Sequence, residues 1–157
     1  LFLTLRSKEV NMFVVYPAIF IKEKESYTVL FPDFGGATCG KSIEDAYYMS
    51  TDYLGMNLLD YYKGNKEFPK ATSLEGLNIK LYIKELFDDE KEVEEALKNS
   101  FKSLVGLDFQ KYLKEVNVKS IRKNVTIPSW LNEVAKRNNI NFSKVLQEAL
   151  ERELEID

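Results

Sequence analysis

The chain has 157 residues, 45% of them hydrophobic and 30% charged, the balance of a folded globular protein rather than a disordered one. It has no histidine and a single cysteine, Cys39, which excludes Ser–His–Asp and Cys–His catalysis, histidine metal sites and an internal disulfide. The net charge of −3 hides an uneven distribution: Glu85 to Glu95 carries seven carboxylates against Lys91, whereas Val116 to Asn132 holds only Lys119, Arg122 and Lys123.

Residues 1–11 are expected to be an upstream extension outside the fold, with Met12 as the natural start. The longest apolar run, Met12 to Ile21, contains Pro17 and falls far short of the ~20 residues of a membrane helix. A cytoplasmic address with no membrane partner is therefore expected, in keeping with the lone thiol. Phe13 to Ile21 is apolar on both faces of its alternation and rich in Val, Ile and Phe, which predicts a strand. Pro17 within it predicts an edge position or a bulge, because proline cannot donate to a ladder. Lys22 to Ser26 turns the chain, and Tyr27 to Phe31 completes a hairpin. The aromatic residues around it, Tyr16, Tyr27 and Phe34, are expected in the core. Pro32-Asp33-Phe34-Gly35-Gly36 is a turn, without the Lys-Ser/Thr of a phosphate loop, and Ala37 to Cys39 predicts one more short strand.

Ser42 with Asp45 resembles a capping box and opens a helix bearing Ile43, Ala46, Tyr47, Leu54, Leu58 and Tyr61. Gly64 and Pro69 end it. Leu77, Ile79, Leu81 and Ile83 alternate with Asn78, Lys80 and Tyr82, predicting a half-buried strand. The acidic run predicts a short helix to about Leu97. Phe101 to Leu107 then reads as a strand, and Asp108 as the cap of a turn through Tyr112 and Leu113. Lys114 to Lys119 is the expected linker, so the predicted domains are 12–115 and 119–157.

Arg122-Lys123-Asn124-Val125-Thr126-Ile127 alternates polar with apolar and predicts a strand that Pro128 stops. Trp130, Leu131, Val134 and Ala135 form the stripe of a short helix that Asn138-Asn139 breaks. Asn141 or Ser143 caps another, with Phe142, Val145, Leu146, Ala149 and Leu150 along one side. A strand and two such helices bury too little surface alone, and neither paired cysteines nor a histidine metal site can help, so a homodimer or higher homo-oligomer is expected. Two strands pairing as a ribbon would bury Val125 and Ile127 among the apolar side chains of both helices, including Trp130, Leu131, Val134, Phe142, Val145, Leu146 and Leu150. The opposite face would offer Arg122, Asn124 and Thr126 to base edges in a major groove. Asn141, Ser143 and Lys144 stand where a helix N-terminus grips a phosphate. A segment that dimerises without touching DNA is the plainer alternative.

This layout, from about Lys119 to Ile156, resembles the ribbon–helix–helix repressors of the Arc and MetJ kind. In that resemblance Arg122, Asn124 and Thr126 take the base-reading positions. Lys123 departs from it, standing on the core side where an apolar residue is usual, and is expected to reach a phosphate instead.

Earlier in the chain, Tyr16-Pro17-Ala18-Ile19-Phe20, Phe31-Pro32-Asp33-Phe34-Gly35-Gly36 and Ser42-Ile43-Glu44-Asp45-Ala46 resemble the HicB antitoxin family. Ser100 to Val105 and Thr126 to Leu131 are similar to its members with a ribbon–helix–helix tail. The resemblance implies an α+β protein with a partial RNase H-like sheet-plus-helix domain and a C-terminal dimerisation segment. It also implies a HicA-like mRNA-cleaving toxin as partner, blocked by the first domain, and operator DNA bound by the tail. The toxin contacts are not legible, although an acidic run suits a basic RNA-cleaving surface.

No cofactor or metal is expected, and no catalysis. An RNase H-like nuclease would have to draw on Asp33, Glu44, Asp45 and Asp52, yet the first strand carries no central Asp, and acids at a helix start favour its dipole without chemistry. That nuclease, and a transcription factor sensing a small ligand, are the alternatives.

Overall fold

Six consecutive buried residues, Tyr16 to Ile21, form the middle of β1 (Phe13–Lys22). Side chains alternate along a strand, so an unbroken buried run requires cover on both faces. The computed structural model, which describes residues 12–116 and 119–154, shows that cover. The expected extension at 1–11 lies outside the described residues. Contacts divide the chain into two units, one of them Phe13–Val116; the described residues 119–154 belong to the other.

In the first unit β1 pairs antiparallel with β2 (Tyr27–Phe31) on one side and β4 (Ser100–Asp108) on the other, and β3 (Gly36–Gly40) lies outside β2. The four-stranded antiparallel sheet has the order β3-β2-β1-β4. Helix α1 (Ile43–Lys63) covers one face, where Phe20 packs on Tyr47 at 4.6 Å and Phe31 on Tyr53 at 5.2 Å between ring centroids. Helices α2 (Ile79–Leu86) and α3 (Glu90–Lys98) cover the other, closing Ile83, Val93 and Ala96 over Ile19, Ile21 and Leu30. Helix α4 (Phe109–Val116) follows β4, its start capped by the Asp108 carboxylate, which accepts the Lys111 N–H at 3.0 Å.

The expected edge strand is therefore central, and the reason Pro17 is tolerated there is local. In the register Ile19↔Leu30 the residue facing Pro17 would be Pro32, which lies just beyond the end of β2. The Glu23 N–H donates to the Ser26 carbonyl at 2.9 Å in the same register, so odd-numbered β1 residues turn their backbone groups toward β2. Two prolines thus meet where each would otherwise donate, and the ladder stops there while β1–β4 pairing continues.

Three further expectations need correction. Leu77 to Ile83 is not a strand: Asn78 caps α2, its side chain accepting the Leu81 N–H at 3.4 Å, and Ile79, Tyr82 and Ile83 face the core at helical spacing. Both edges of β1 are occupied by β2 and β4, so no inner position remains for that segment. The capping box is also wired differently. Ser42 accepts the Asp45 N–H at 3.1 Å, but the Asp45 carboxylate reaches back to the Lys41 N–H at 2.8 Å, not to that of Ser42. The linker expected from Lys114 is still helical through Val116.

The second unit contributes α5 (Ser129–Arg137) and α6 (Phe142–Glu153). Asn138 ends α5 and Asn139 follows with φ 54°, the left-handed residue the Asn pair predicted. Asn141 caps α6, accepting the Lys144 N–H at 3.0 Å. Residues 119–128 carry no regular structure in the single chain. The predicted strand at 122–127 is not one here, and a lone segment has no neighbour to supply ladder bonds. The described residues thus form a mixed α/β protein with one four-stranded sheet and six α-helices.

Candidate functional site

No residue between 119 and 154 is buried. The apolar stripe predicted to dimerise is open along its length. Val125, Trp130, Leu131, Val134, Phe142, Val145 and Leu150 are all exposed, Trp130 at 66%, while Ile127 and Leu146 are half-buried. The Asn141 side chain caps the start of α6, and the Asn138 amide donates to the Val134 carbonyl at the end of α5, whose start after Pro128 has no side-chain cap. This segment has helices with an apolar side and no interior to receive it.

The residues predicted to meet DNA sit around that stripe. Arg122, Lys123, Asn124 and Thr126 lie in the stretch without regular structure before α5, all exposed. Arg122, Asn124 and Thr126 alternate with Lys123, Val125 and Ile127, and in an extended chain alternate residues share a side. At the start of α6, Ser143 and Lys144 are exposed, but two groups there are already engaged. The Asn141 side-chain oxygen accepts the Lys144 N–H, and the Lys144 ammonium lies 3.7 Å from the Glu148 carboxylate. That ion pair is solvated and weak, and leaves the ammonium available to a stronger anion.

The four carboxylates weighed for nuclease chemistry occupy different settings. Asp33 sits in the 3-10 turn Pro32–Phe34, where it accepts from the Thr72 N–H at 3.0 Å and from the Thr72 hydroxyl, pinning the loop that follows α1. Glu44 and Asp45 lie in the first turn of α1. Hydrogen bonds from its own N–H and from the Ser42 hydroxyl hold the Glu44 carboxyl below its usual range. Asp52 is exposed two turns further along α1. Among the described residues no group of three or more Cys, Asp or Glu side chains is placed to hold a metal ion.

The acidic run forms the end of α2, the turn after it and α3. Its seven carboxylates, Glu85 to Glu95, are all exposed. Asp89 spends its side chain on the N-cap of α3, accepting the Lys91 and Glu92 N–H groups at 2.8 and 3.2 Å. An open groove of about 480 Å³ lies between α3 and the β1–β2 turn, with Ile21, Phe87 and Ala96 in its wall and charges of both signs beside them, Lys22 and Lys24 with Glu23, Glu92 and Glu95. No described helix is long and apolar enough to cross a membrane.

No protein-family model matches this chain, and no curated protein matches it in sequence. Solved structures do. A chain of a toxin–antitoxin complex from Streptococcus pneumoniae has the same fold with a TM-score of 0.55 and 27% identity, over 90% of this chain and 99% of that one. The antitoxin HicB of Burkholderia pseudomallei aligns with a TM-score of 0.42 and 19% identity, over 90% of this chain and 97% of that one.

Proposed function

We propose that this protein is a HicB-type antitoxin without catalytic activity. In this reading residues 12–115 form a partial RNase H-like domain that binds and blocks a small RNA-cleaving toxin. Residues 119–157 form a ribbon–helix–helix segment that dimerises and represses the shared operon. The observation that carries it is the likeness, nearly end to end, to a chain of a toxin–antitoxin complex. The motifs around Pro17, Pro32 and Ser42 put the chain on the antitoxin side of such a pair.

The C-terminal half of the proposal rests on the open stripe. Two copies that pair residues 122–127 as an antiparallel ribbon gain the ladder a single chain lacks, and remove Val125, Trp130, Leu131 and Phe142 from water. Burial of one such side chain contributes about 1.5–3 kcal/mol. Arg122, Asn124 and Thr126 of each copy then line the ribbon's outer face, which fits a major groove. Lys123 and Lys144 add phosphate contacts. Toward the toxin, the exposed carboxylates of α3 offer an electrostatic match to a basic, RNA-cleaving surface.

The test separates the two activities. Arg122→Ala and Asn124→Ala should each weaken operator binding by about 1–3 kcal/mol, the usual worth of a base contact, while growth rescue from the co-expressed neighbouring toxin stays intact. Operator affinity of the parent protein should fall steeply with added salt as counterions are released. Equal loss of both activities would contradict the division of labour, and failure to co-purify with any neighbouring toxin would remove the antitoxin reading itself.

A further inference from the structure

β3 forms one edge of the sheet, and its five residues, Gly36 to Gly40, include neither proline nor charge. Brevity alone discourages this edge from pairing with another chain. An added Cβ on Gly36 would meet Tyr53 of α1, and one on Gly40 the start of α1 at Ala46, so the even-numbered residues face α1. Ala37 and Cys39 face the opposite side, toward α2, and both are exposed.

Even-numbered β2 residues turn their backbone groups toward the odd-numbered residues of β1, as at Ile19↔Leu30, so odd-numbered β2 residues turn theirs to β3. There they meet Gly36, Thr38 and Gly40, in the register Val29↔Thr38. Ala37 and Cys39 therefore turn N–H and C=O outward. On either side of them the edge is closed: the Gly35 N–H donates to the Phe31 carbonyl at 3.0 Å, and the Lys41 N–H to the Asp45 carboxylate at 2.8 Å. Beside Ala37 an open groove of about 230 Å³ runs between this edge and α2. Leu30, Tyr82 and Leu86 stand in its wall, Leu86 being 49% exposed. Among the described residues that line it, Glu85 is the one with a charge.

We propose that this edge and groove take an extended segment of the toxin, which adds a fifth strand to the sheet. The inference rests on the antitoxin reading above. A strand bonded to Ala37 and Cys39 puts the residues opposite them on the same side of the sheet, toward α2. The residue opposite Ala37 enters the groove, so it is large and apolar. A residue two positions away on the same side is basic and meets Glu85, where the acidic run begins. Basic residues are what an RNA-cleaving surface offers. Backbone bonds hold such a segment, and its alternate side chains select it. A second copy of β3 does not answer this description, because it brings only alanine and cysteine to that side and leaves the groove empty.

Amide hydrogen exchange of the full chain, alone and with the purified neighbouring toxin, tests the pairing. The Ala37 and Cys39 amides should exchange fast in the chain alone and slowly in the complex, while Thr38, held by β2, stays protected in both. Ala37→Pro removes one outward N–H at an edge position that tolerates proline, and Glu85→Lys reverses the charge of the groove. Each should weaken toxin binding about tenfold and leave operator affinity unchanged; retained protection at Thr38 shows that the variants fold. If the parent protein binds no toxin, the antitoxin reading fails and this surface with it. If toxin binds while Ala37 and Cys39 still exchange fast, or while both variants keep the parental affinity, docking at β3 is overturned and the antitoxin reading stands. Slow exchange of both amides in the chain alone means that a second copy or another segment already covers the edge, and overturns the docking as well.

Discussion

Gly55 lies in the interior of α1, where glycine costs about 1 kcal/mol relative to alanine. Its position is explained by a neighbour distant in sequence: an added Cβ would fall 2.5 Å from the ring of Tyr112, which is stacked on Phe109 in α4. Glycine here admits α4 to the side of α1. Gly55→Ala should therefore destabilise by about 1–3 kcal/mol, the usual effect of overpacking, against the sign that helix propensity gives; a higher urea midpoint would refute this. Tyr16 shows a second long-range tie. It is buried, and its hydroxyl donates to the Pro69 carbonyl at 2.6 Å. Burial foremost, then the Asp33 carboxylate and Tyr61, push its ionisation above the ordinary value. A phenol with a raised folded-state pKa contributes stability fully below its unfolded value of about 10, and loses it as pH rises through the folded value. Tyr16→Phe should lower stability by about 1 kcal/mol at neutral pH for the lost hydrogen bond and flatten the alkaline limb above pH about 10; an unaltered alkaline limb would mean that Tyr16 does not govern it. Neither tie was legible in the sequence, since both partners lie dozens of residues away.

At the scale of elements, legibility followed how many local signals agreed. The hairpin, α1 with its Ser42 cap, α3, β4 and both C-terminal helices each had a pattern and a cap or turn pointing the same way. Leu77 to Ile83 had a period-2 pattern too short to decide against a helix, and the deciding signal was the Asn78 cap. Pro17 was read as an edge mark because its local rule is sound; what the sequence hid was that Pro32 would face it. Residues 122–127 differ in kind, because the strand predicted there would need bonds from another chain, as in the proposed dimer. The shortness of α5 and α6 matters in the same way: isolated helices below about 12–15 residues are marginal in water. If their open stripe is an interface, Val145→Asp, which removes no contact of a buried residue, should halve the sedimenting mass and reduce the helical circular-dichroism signal. If the stripe is merely solvated, neither quantity should change.

For the whole molecule these elements make two stability problems of different order. The unit Phe13–Val116 has a two-sided core around β1 and needs no partner to fold. The C-terminal unit has no buried residue among those described, and in the proposed dimer its folding is coupled to association and follows mass action. Heating should therefore give two transitions, the lower one from the C-terminal helices. A tenfold rise in protein concentration adds about 1.4 kcal/mol to a dimer's stability, so the lower transition should move up with concentration. The upper one should stay where it is, because the core around β1 is closed within one chain. Val145→Asp should remove the lower transition and spare the upper. A single transition that ignores concentration in the parent protein would mean that the C-terminal helices find their cover within one chain, and the shared ribbon would then not be needed.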